Sequence, residues 1–194
     1  ILFLWYFFII CLRVGRPPVF PFIRSASTRP LKDSVKESIF NIIAHSNLLN
    51  VKIKNSNILD LYSGVGSFGL ECLSRGADKI TFVEINKDAI ETLKKNLISL
   101  SVKDKASIMT EKIINFLNRK QSKKFDIFFL DPPFVEKNFI KELKLIKEKK
   151  IYKNNHIIII HRERKSSDDF ENVIKPIIIK EYGRSKIIFA KFLD

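Results

Sequence analysis

From residue 33 onward, short apolar runs alternate with amphipathic stretches, and this alternation leaves few folds open to the chain. The apolar runs predict strands and the stretches between them predict helices. Strands that alternate with helices form βαβ units, which place the strands parallel in one sheet. The predicted strands are residues 57–61, 79–84, 106–109, 125–130, 156–160, 177–182 and 186–190. The predicted helices are 34–46, 66–75, 87–100, 113–119 and 138–149, with Asn86 as the N-cap of the third.

The last two predicted strands are separated only by a tight turn at Gly183. A connection this short joins antiparallel strands, because a parallel crossover needs a dozen or more residues. The predicted fold class is therefore α/β, with a mainly parallel seven-stranded sheet and an antiparallel C-terminal hairpin.

The chain is strongly basic, with 35 Lys and Arg against 21 Asp and Glu and a formal net charge of +14. An excess of this size indicates a polyanionic partner, nucleic acid first and a membrane surface second. Residues 1–32 contain four Arg, one Lys and no acid, so the rest of the chain carries +9. The expectation of a nucleic-acid partner therefore holds without the N-terminal segment.

The first 27 residues do not follow the alternating pattern. Residues 1–12 are wholly apolar, too few for a membrane span of roughly 20 residues. No positive charge precedes them and no small-residue cleavage site follows, so they do not match a secretory signal. We treat 1–27 as an atypical segment (a misassigned or frame-shifted start, an amphipathic anchor or a buried strand) and 28–194 as the functional domain. Two cysteines, Cys11 and Cys72, exclude a disulfide scaffold and fit a reducing compartment.

A glycine-rich turn follows the first predicted strand. Gly64, Gly66 and Gly69 form G-x-G-x-x-G between a strand and a helix, and Glu84 ends the second strand 20 residues after Gly64. In nucleotide-binding α/β folds such glycines let a ligand approach the backbone, and an acid at this place binds ribose hydroxyls. The pattern predicts a nucleotide-type ligand. The alternative is a turn selected for tight packing, with Glu84 as a solvated strand end.

The acid just before this turn indicates which ligand the turn accepts. Asp60 would repel the pyrophosphate of a dinucleotide resting on the same turn. It would attract a cationic ligand instead, and S-adenosylmethionine carries a sulfonium and an ammonium. We therefore predict S-adenosylmethionine as the cofactor and methyl transfer as the reaction.

A second motif, Asp131-Pro132-Pro133-Phe134, follows the fourth predicted strand. It lies at the same carboxyl edge of the sheet as the glycine turn, where open α/β sheets bind ligands. The prolines fix φ and lack an N–H, so the loop presents a carboxylate and carbonyls as acceptors. Such acceptors suit the exocyclic amine of a base, on which Phe134 can stack. The alternative is an ordinary proline turn with Phe134 in the core.

Together the two motifs resemble class I S-adenosylmethionine-dependent methyltransferases that modify exocyclic amines. Over residues 28–194 the resemblance narrows to the RsmD family, which methylates N2 of one guanine in 16S ribosomal RNA. Three further segments carry it: T-R-P-x-x-D-x-V-K-E-x-x-F-N from Thr28, L-S-R-G-A from Leu73, and E-Y-G-R-S-K from Glu181. The resemblance implies a Rossmann-like fold and methylation of guanine N2 in 16S rRNA without a metal.

The resemblance also assigns roles to residues. Asp131 and the Pro132 carbonyl would hold the guanine amine in the Pro133-stiffened loop, with Phe134 packed on the base. The implied cofactor-binding residues are Asp60, Tyr62, Gly64, Gly66, Glu84 and Asn86, and the implied substrate-binding residues are Arg29, Lys32 and Arg184. The three histidines are expected to be structural or surface residues rather than bases, namely His45, His156 and His161.

Three features depart from the family pattern. Leu31 follows Pro30, where the family tends to have Thr. In the turn after the third strand an acid usually contacts the cofactor adenine; the expected position holds Lys112, and Glu111 is the candidate substitute. The family opens with a Gly- and Lys/Arg-containing hairpin that helps to grip RNA, which residues 1–27 do not resemble. We therefore expect the grip on the Lys-rich body, including helix 138–149.

Other functions stay open on the sequence alone. The same loop serves relatives that methylate adenine N6 or DNA, and a non-catalytic nucleic-acid-binding protein or a nicotinamide dehydrogenase are further alternatives. For the favoured interpretation, the partner is 16S rRNA or an assembling small ribosomal subunit. The protein is then expected to be a cytoplasmic monomer without a stable membrane partner. A base inside paired RNA is out of reach, so the target lies in a loop or is flipped out.

Overall fold

This computed structural model describes residues 33–170 and 172–193. They fold into a seven-stranded sheet between two layers of helices. The helices are α1 Asp33–His45, α2 Ser67–Ser74, α3 Lys87–Ser99, α4 Ile113–Asn118 and α5 Phe139–Glu148. The strands are β1 Asn57–Leu61, β2 Lys79–Val83, β3 Ala106–Met109, β4 Phe125–Leu130, β5 Tyr152–Glu163, β6 Ile174–Tyr182 and β7 Ser185–Phe192.

The strand order is β3-β2-β1-β4-β5-β7-β6. Every neighbouring pair from β3 to β5 is parallel, whereas β7 is antiparallel to both β5 and β6. The predicted mainly parallel sheet with a C-terminal hairpin is therefore confirmed. The expectations for residues 1–27 fall outside the described part of the chain. Across residues 33–170 and 172–193, no helix combines the length and apolarity needed to cross a membrane.

Successive side chains of each strand point to opposite faces of the sheet, and apolar residues are buried on both faces. On β1, Ile58 packs in one buried cluster with α1, α2 and α3, and Leu59 and Leu61 pack in the other with α4 and α5. Asp60 falls on the first face and is buried there with 1% exposure. Strands buried on both faces are apolar at nearly every position, which is why these runs were visible in the sequence.

Strands β5, β6 and β7 are longer than predicted, and tertiary pairing explains how far the first two extend. β5 continues to Glu163 because β7 still pairs with it after β4 has ended. β6 begins before Pro176, which lacks a ladder donor. Proline is tolerated there because β6 is an edge strand with a register irregularity at residues 176–178.

The chain reverses its direction across the sheet between β1 and β4. β1, β2 and β3 build one half outward, and the chain then returns to add β4 on the other side of β1. In open α/β sheets the crevice at such a switch point is the ligand site. Here the backbone N–H of Asp131 donates to the Leu61 carbonyl at 3.4 Å, so the ends of β1 and β4 lie side by side.

Candidate active site

The three glycines of the turn after β1 meet different requirements. At Gly64, where φ is +53°, a Cβ would meet nothing within 4 Å. At Gly66 a Cβ would collide with the Leu93 side chain, and at Gly69 it would lie 2.7 Å from Cζ of Phe82. Gly64 therefore faces the open space that a ligand can enter, and the other two glycines allow α2 to pack closely on the sheet.

Asp60 is a buried acid, and only one of its two carboxylate oxygens has a hydrogen-bond partner among the described residues. Its Oδ2 accepts a hydrogen bond from the Gly69 N–H at 3.0 Å, and its Oδ1 is buried without a partner among the described residues. Burial raises the pKa of this carboxyl well above its usual range, the Gly69 hydrogen bond opposes that rise, and the charges of Asp131 and Glu84 add to it. A cation placed here would satisfy Oδ1 and relieve the repulsion among the three acids.

Glu84 connects the end of β2 to the glycine turn. Its Oε2 accepts from the Gly64 N–H at 2.8 Å, and its Oε1 accepts from the N–H groups of Ile85 and Asn86, each at 2.8 Å. The side chain is therefore fixed at the mouth of the turn rather than solvated as a free strand end. A carboxylate oxygen has two acceptor sites, so Oε2 still has one for a ligand hydroxyl.

The side chain of Asn86 has a structural task. Its Oδ1 accepts from the Ala89 N–H at 3.0 Å and so caps the N-terminus of α3, as the sequence predicts. The prediction that Asn86 also contacts the cofactor rests on its position beside Glu84 at the same strand end.

A cavity of about 520 Å³ opens at the ends of β1, β2 and β3. Glu84 lines it together with the apolar side chains of Ile85, Ile113 and Ile114. Glu111 lines it too, and its Oε2 accepts from Arg119 at 3.0 Å, which leaves Oε1 for another donor. An adenosine-sized ligand finds here an acid for its ribose, apolar walls for its base and an acceptor for a base amine.

Tyr62 and Glu142, 80 residues apart in the chain, also line this cavity and are hydrogen-bonded to each other. The Tyr62 hydroxyl donates to Oε2 of Glu142 at 2.8 Å, and Tyr62 itself has a φ of +57°. Burial raises the pKa of Glu142 to about 7; the Tyr62 hydrogen bond opposes this shift and the charge of Glu136 adds to it. Sequence reasoning proposed Tyr62 for this site and missed Glu142, which resembles any acid on a Lys-rich helix.

Replacing Glu142 by Gln should flatten one component of the pH dependence of stability. Its folded pKa of about 7 is higher than in the unfolded chain, so the wild type loses stability as pH rises from roughly 4.5 to 7. Gln still accepts the hydrogen bond from Tyr62 but cannot ionise. Above pH 7 the variant should therefore be spared a loss of about 2–3 kcal/mol in the free energy of unfolding. Urea unfolding at pH 5 and pH 8 measures it, with the exposed Glu148→Gln as control. Equal pH slopes in wild type and Glu142→Gln would contradict the assignment.

The Asp131-Pro132-Pro133-Phe134 loop leaves β4 beside the glycine turn. The Asp131 side chain is 26% exposed, Pro132 is buried, and Phe134 is half-buried rather than a core residue. The carboxylate and the aromatic ring of this loop are therefore both partly exposed at the carboxyl edge of the sheet, and a substrate-facing role for them stays a prediction.

His161 lies directly against this loop, which sequence reasoning did not foresee. Its Nδ1 is 2.7 Å from Oδ1 of Asp131, and its ring packs edge-on to Phe134 with centroids 5.8 Å apart. The signal was its position straight after the isoleucine run of β5, at the same carboxyl edge as Asp131. His156 fits its expected structural role, since its Nε2 accepts from the Phe192 N–H at 3.0 Å.

Of the predicted substrate-binding residues, Arg29 and Lys32 lie outside the described part of the chain. Arg184 is in the β6–β7 turn and is 79% exposed. Its NH2 group is 3.5 Å from Oε1 of Glu163, the last residue of β5. The structure therefore brings Arg184 to the same edge of the sheet as the glycine turn and the Asp131 loop.

Comparison with known proteins agrees with this geometry. The family described as Conserved hypothetical protein 95 matches residues 16–191. The chain is 35% identical over 178 residues to the ribosomal RNA small subunit methyltransferase D of Buchnera aphidicola subsp. Baizongia pistaciae, covering 90% of this chain and 85% of that protein. The chain belongs to the RsmD family.

A further relative and one solved structure, titled a putative methyltransferase, extend the comparison. The protein of the same name from Haemophilus influenzae is 36% identical over 146 residues, covering 74% of this chain and 72% of that one. The solved structure of Escherichia coli yhhF superposes with a TM-score of 0.73 at 25% identity, covering 88% and 90% of the two chains. The protein is thus an RsmD-type class I methyltransferase, and its cofactor is S-adenosylmethionine.

Proposed function

We propose that this RsmD-type enzyme methylates the exocyclic N2 amine of a specific guanine in small-subunit ribosomal RNA. The observation that carries the proposal is the placement of two acids at the switch point between β1 and β4. One is Asp131 in a loop whose prolines lack N–H donors, and the other is buried Asp60, whose Oδ1 has no hydrogen-bond partner within residues 33–170 and 172–193. The names of the Buchnera and Haemophilus relatives support small-subunit rRNA as the substrate.

The residues around the crevice fit the cofactor. The buried Oδ1 of Asp60 and the open space at Gly64 would accept its methionine end, with Gly66 allowing the close turn. Glu84 Oε2 would bind a ribose hydroxyl, and Glu111 Oε1 would accept from the adenine amine between the apolar walls. Tyr62 lines the same cavity, and Asn86 follows Glu84 by two residues at the N-terminus of α3. When bound, S-adenosylmethionine supplies a methyl group that its sulfonium already activates.

The remaining chemical task falls on the amine acceptors. The lone pair of guanine N2 is delocalised into the ring, which makes the amine a poor nucleophile. Hydrogen bonds from its two hydrogens to Asp131 and the Pro132 carbonyl would favour a tetrahedral nitrogen and stabilise the positive charge that develops on it. Phe134 would hold the base plane, and Pro133 keeps the loop stiff. Orientation of this kind lowers the activation free energy by up to roughly 7–11 kcal/mol.

RNA would approach from the rim of the same edge. Arg184 is exposed beside the end of β5, and the neighbouring Arg164 is 51% exposed. Lys141, an exposed residue in the first turn of α5 that also lines the cavity, extends the positive surface. Contacts with phosphates make binding weaker as salt rises. An rRNA substrate in a loop or flipped conformation, a cytoplasmic location and a monomeric enzyme complete the proposal.

The test is methyl transfer to defined RNA. Purified protein with labelled S-adenosylmethionine should label 16S rRNA, free or in small-subunit particles, and nucleoside digestion should yield N2-methylguanosine. N6-methyladenosine as the sole product would show that the loop serves adenine instead, because both bases offer an exocyclic amine to the same acceptors. Absence of transfer to either form of RNA by folded, cofactor-binding protein would reject RNA methylation altogether.

A further inference from the structure

Strand β5 runs three residues past the end of its parallel neighbour β4. The last β4 residue, Leu130, pairs with Ile160, and the overhang continues through residues 161–163. The overhang is not a loose end, because β7 pairs with it on its other side as far as Glu163. A rigid piece of strand therefore stands directly beside the loop that leaves β4.

The first overhang residue contacts both functional side chains of that loop. His161 is 9% exposed; its Nδ1 is 2.7 Å from Oδ1 of Asp131, and its ring packs edge-on to Phe134. An ionised carboxylate can only accept, so a hydrogen bond from His161 to ionised Asp131 requires the tautomer with its proton on Nδ1. Nε2 is buried and has no hydrogen-bond partner in the described part of the chain, so no competing contact turns the ring away.

The second overhang residue fixes the backbone of the loop. Arg162 is 1% exposed and donates to the carbonyls of Pro133 at 3.2 Å and Phe134 at 3.1 Å. Its guanidinium is held by Asp168 at 3.1 Å and lies over the Phe139 ring. These bonds engage the second half of the loop and not the Pro132 carbonyl. Arg162 therefore holds the loop backbone at Pro133 and Phe134 and leaves the Asp131 carboxylate to be oriented by another contact.

We propose that His161 is a positioning residue for methyl transfer, which orients the Asp131 carboxylate by donating from Nδ1 to Oδ1. The inference rests on the proposed function, because the group to be positioned is the acceptor for the target amine. With Oδ1 held by His161, Oδ2 is the oxygen presented to the substrate. The same ring supports Phe134, so one side chain sets the relative placement of the carboxylate and the stacking face.

Two substitutions of His161 test this proposal. One removes the Nδ1 donor, and the other restores a donor at the same place. Leu has a similar volume and no donor, whereas the amide nitrogen of Asn takes the place of Nδ1 on the same carbon. His161→Leu should lower kcat about 10–100-fold, as expected when a charged hydrogen bond is lost and a reacting group is misplaced. The KM for RNA and the Kd for S-adenosylhomocysteine should stay within about twofold of wild type, because His161 touches neither the cofactor cavity nor the rim.

Two comparisons make the result decisive. His161→Asn should recover most of the lost kcat, and His45→Leu, an exposed histidine on α1, should behave as wild type. Wild-type kcat in His161→Leu would overturn the proposal. So would an Asn variant as impaired as Leu, or a loss of cofactor affinity equal to the loss of rate.

A spectroscopic arm separates this inference from the proposed function. In ¹⁵N-histidine-labelled wild type, long-range proton–nitrogen spectra should show a proton on Nδ1 of His161, and Asp131→Ala should alter that signal. An Nδ1 without a proton would overturn the inference whatever the activity. Failure of the wild type to methylate any RNA would instead reject the proposed function, and this measurement would still report whether His161 donates to Asp131.

Discussion

Replacing Asp131 by Ala should lower the turnover number by about 10²–10³-fold while cofactor affinity stays near the wild-type value. The carboxylate is the charged acceptor at the point where positive charge develops on the amine, so its contribution is made in the transition state. It is 26% exposed at the crevice and does not belong to the wall of the cofactor cavity. Single-turnover kinetics together with calorimetry of S-adenosylhomocysteine binding measure the two quantities separately.

Charge and shape can be separated at this position. Asp131→Asn keeps the shape, but its amide must direct a donor either at Nδ1–H of His161 or at the guanine amine. We therefore expect Asn to be almost as inactive as Ala. Activity close to wild type in Asp131→Asn would show that a neutral acceptor suffices and would contradict the electrostatic account.

The matched control lies at the other end of the same strand. Oδ2 of Asp126 accepts from the Asn57 N–H at 2.7 Å and from Lys153 at 2.8 Å. Asp126→Ala removes a carboxylate from β4 far from its carboxyl edge and should reduce stability by about 1–2 kcal/mol without lowering kcat. A similar loss of kcat in both variants would mean that any weakening of β4 impairs the enzyme.

Local signals sufficed for most of the fold. The strands over residues 57–61, 106–109 and 125–130 were predicted with the bounds that the structure has. The first and third are buried on both faces and mostly apolar, whereas the edge strand β3 is only half-buried. Asn86 was identified as the cap of α3 from its residue type and position alone. The C-terminal end of β5 and the start of β6 were missed because pairing with β7, and not composition, determines how far those strands extend.

The site was predictable where it follows chain order and unpredictable where it depends on side chains from distant segments. Asp60, Gly64, Glu84 and Asp131 all come directly at or after strand ends, and parallel strands bring those ends together. Glu142 reaches Tyr62 from a helix 80 residues later, and His161 reaches Asp131 from a strand 30 residues later. Neither partner has a distinctive pattern, because a single polar residue on a helix or strand end is common on any surface.

The sequence also could not show which glycines of the turn face a ligand and which are needed for packing. G-x-G-x-x-G predicts close ligand approach at every glycine, yet only Gly64 opens toward free space. Gly66 and Gly69 are required by the packing of α2 against β2 and α3. The motif thus combines one ligand-facing position with two packing positions, and these respond differently to substitution.

Gly69→Ala should destabilise the protein by about 1–3 kcal/mol, the usual cost of overpacking a filled core. In most helices the same change stabilises by roughly 0.5–1 kcal/mol, because Ala loses less backbone entropy. Here the new Cβ would lie 2.7 Å from Cζ of Phe82 and 2.9 Å from Oδ2 of Asp60. The fully buried ring of Phe82 cannot move aside without displacing β2 or α2.

The same displacement should weaken cofactor binding at least about tenfold, the equivalent of roughly 1.4 kcal/mol. The N–H of Gly69 is the hydrogen-bond donor that fixes Asp60, so a shift of α2 moves the acid that we assign to the methionine end of the cofactor. Gly76→Ala is the control: its Cβ meets only Lys54 at 3.6 Å, so its positive φ should cost about 1 kcal/mol and leave cofactor affinity intact. Urea unfolding measures the stability of both variants, and calorimetry measures their cofactor affinity. Increased stability in Gly69→Ala would contradict the prediction, because it would show that α2 and β2 are not in the close contact that the structure has.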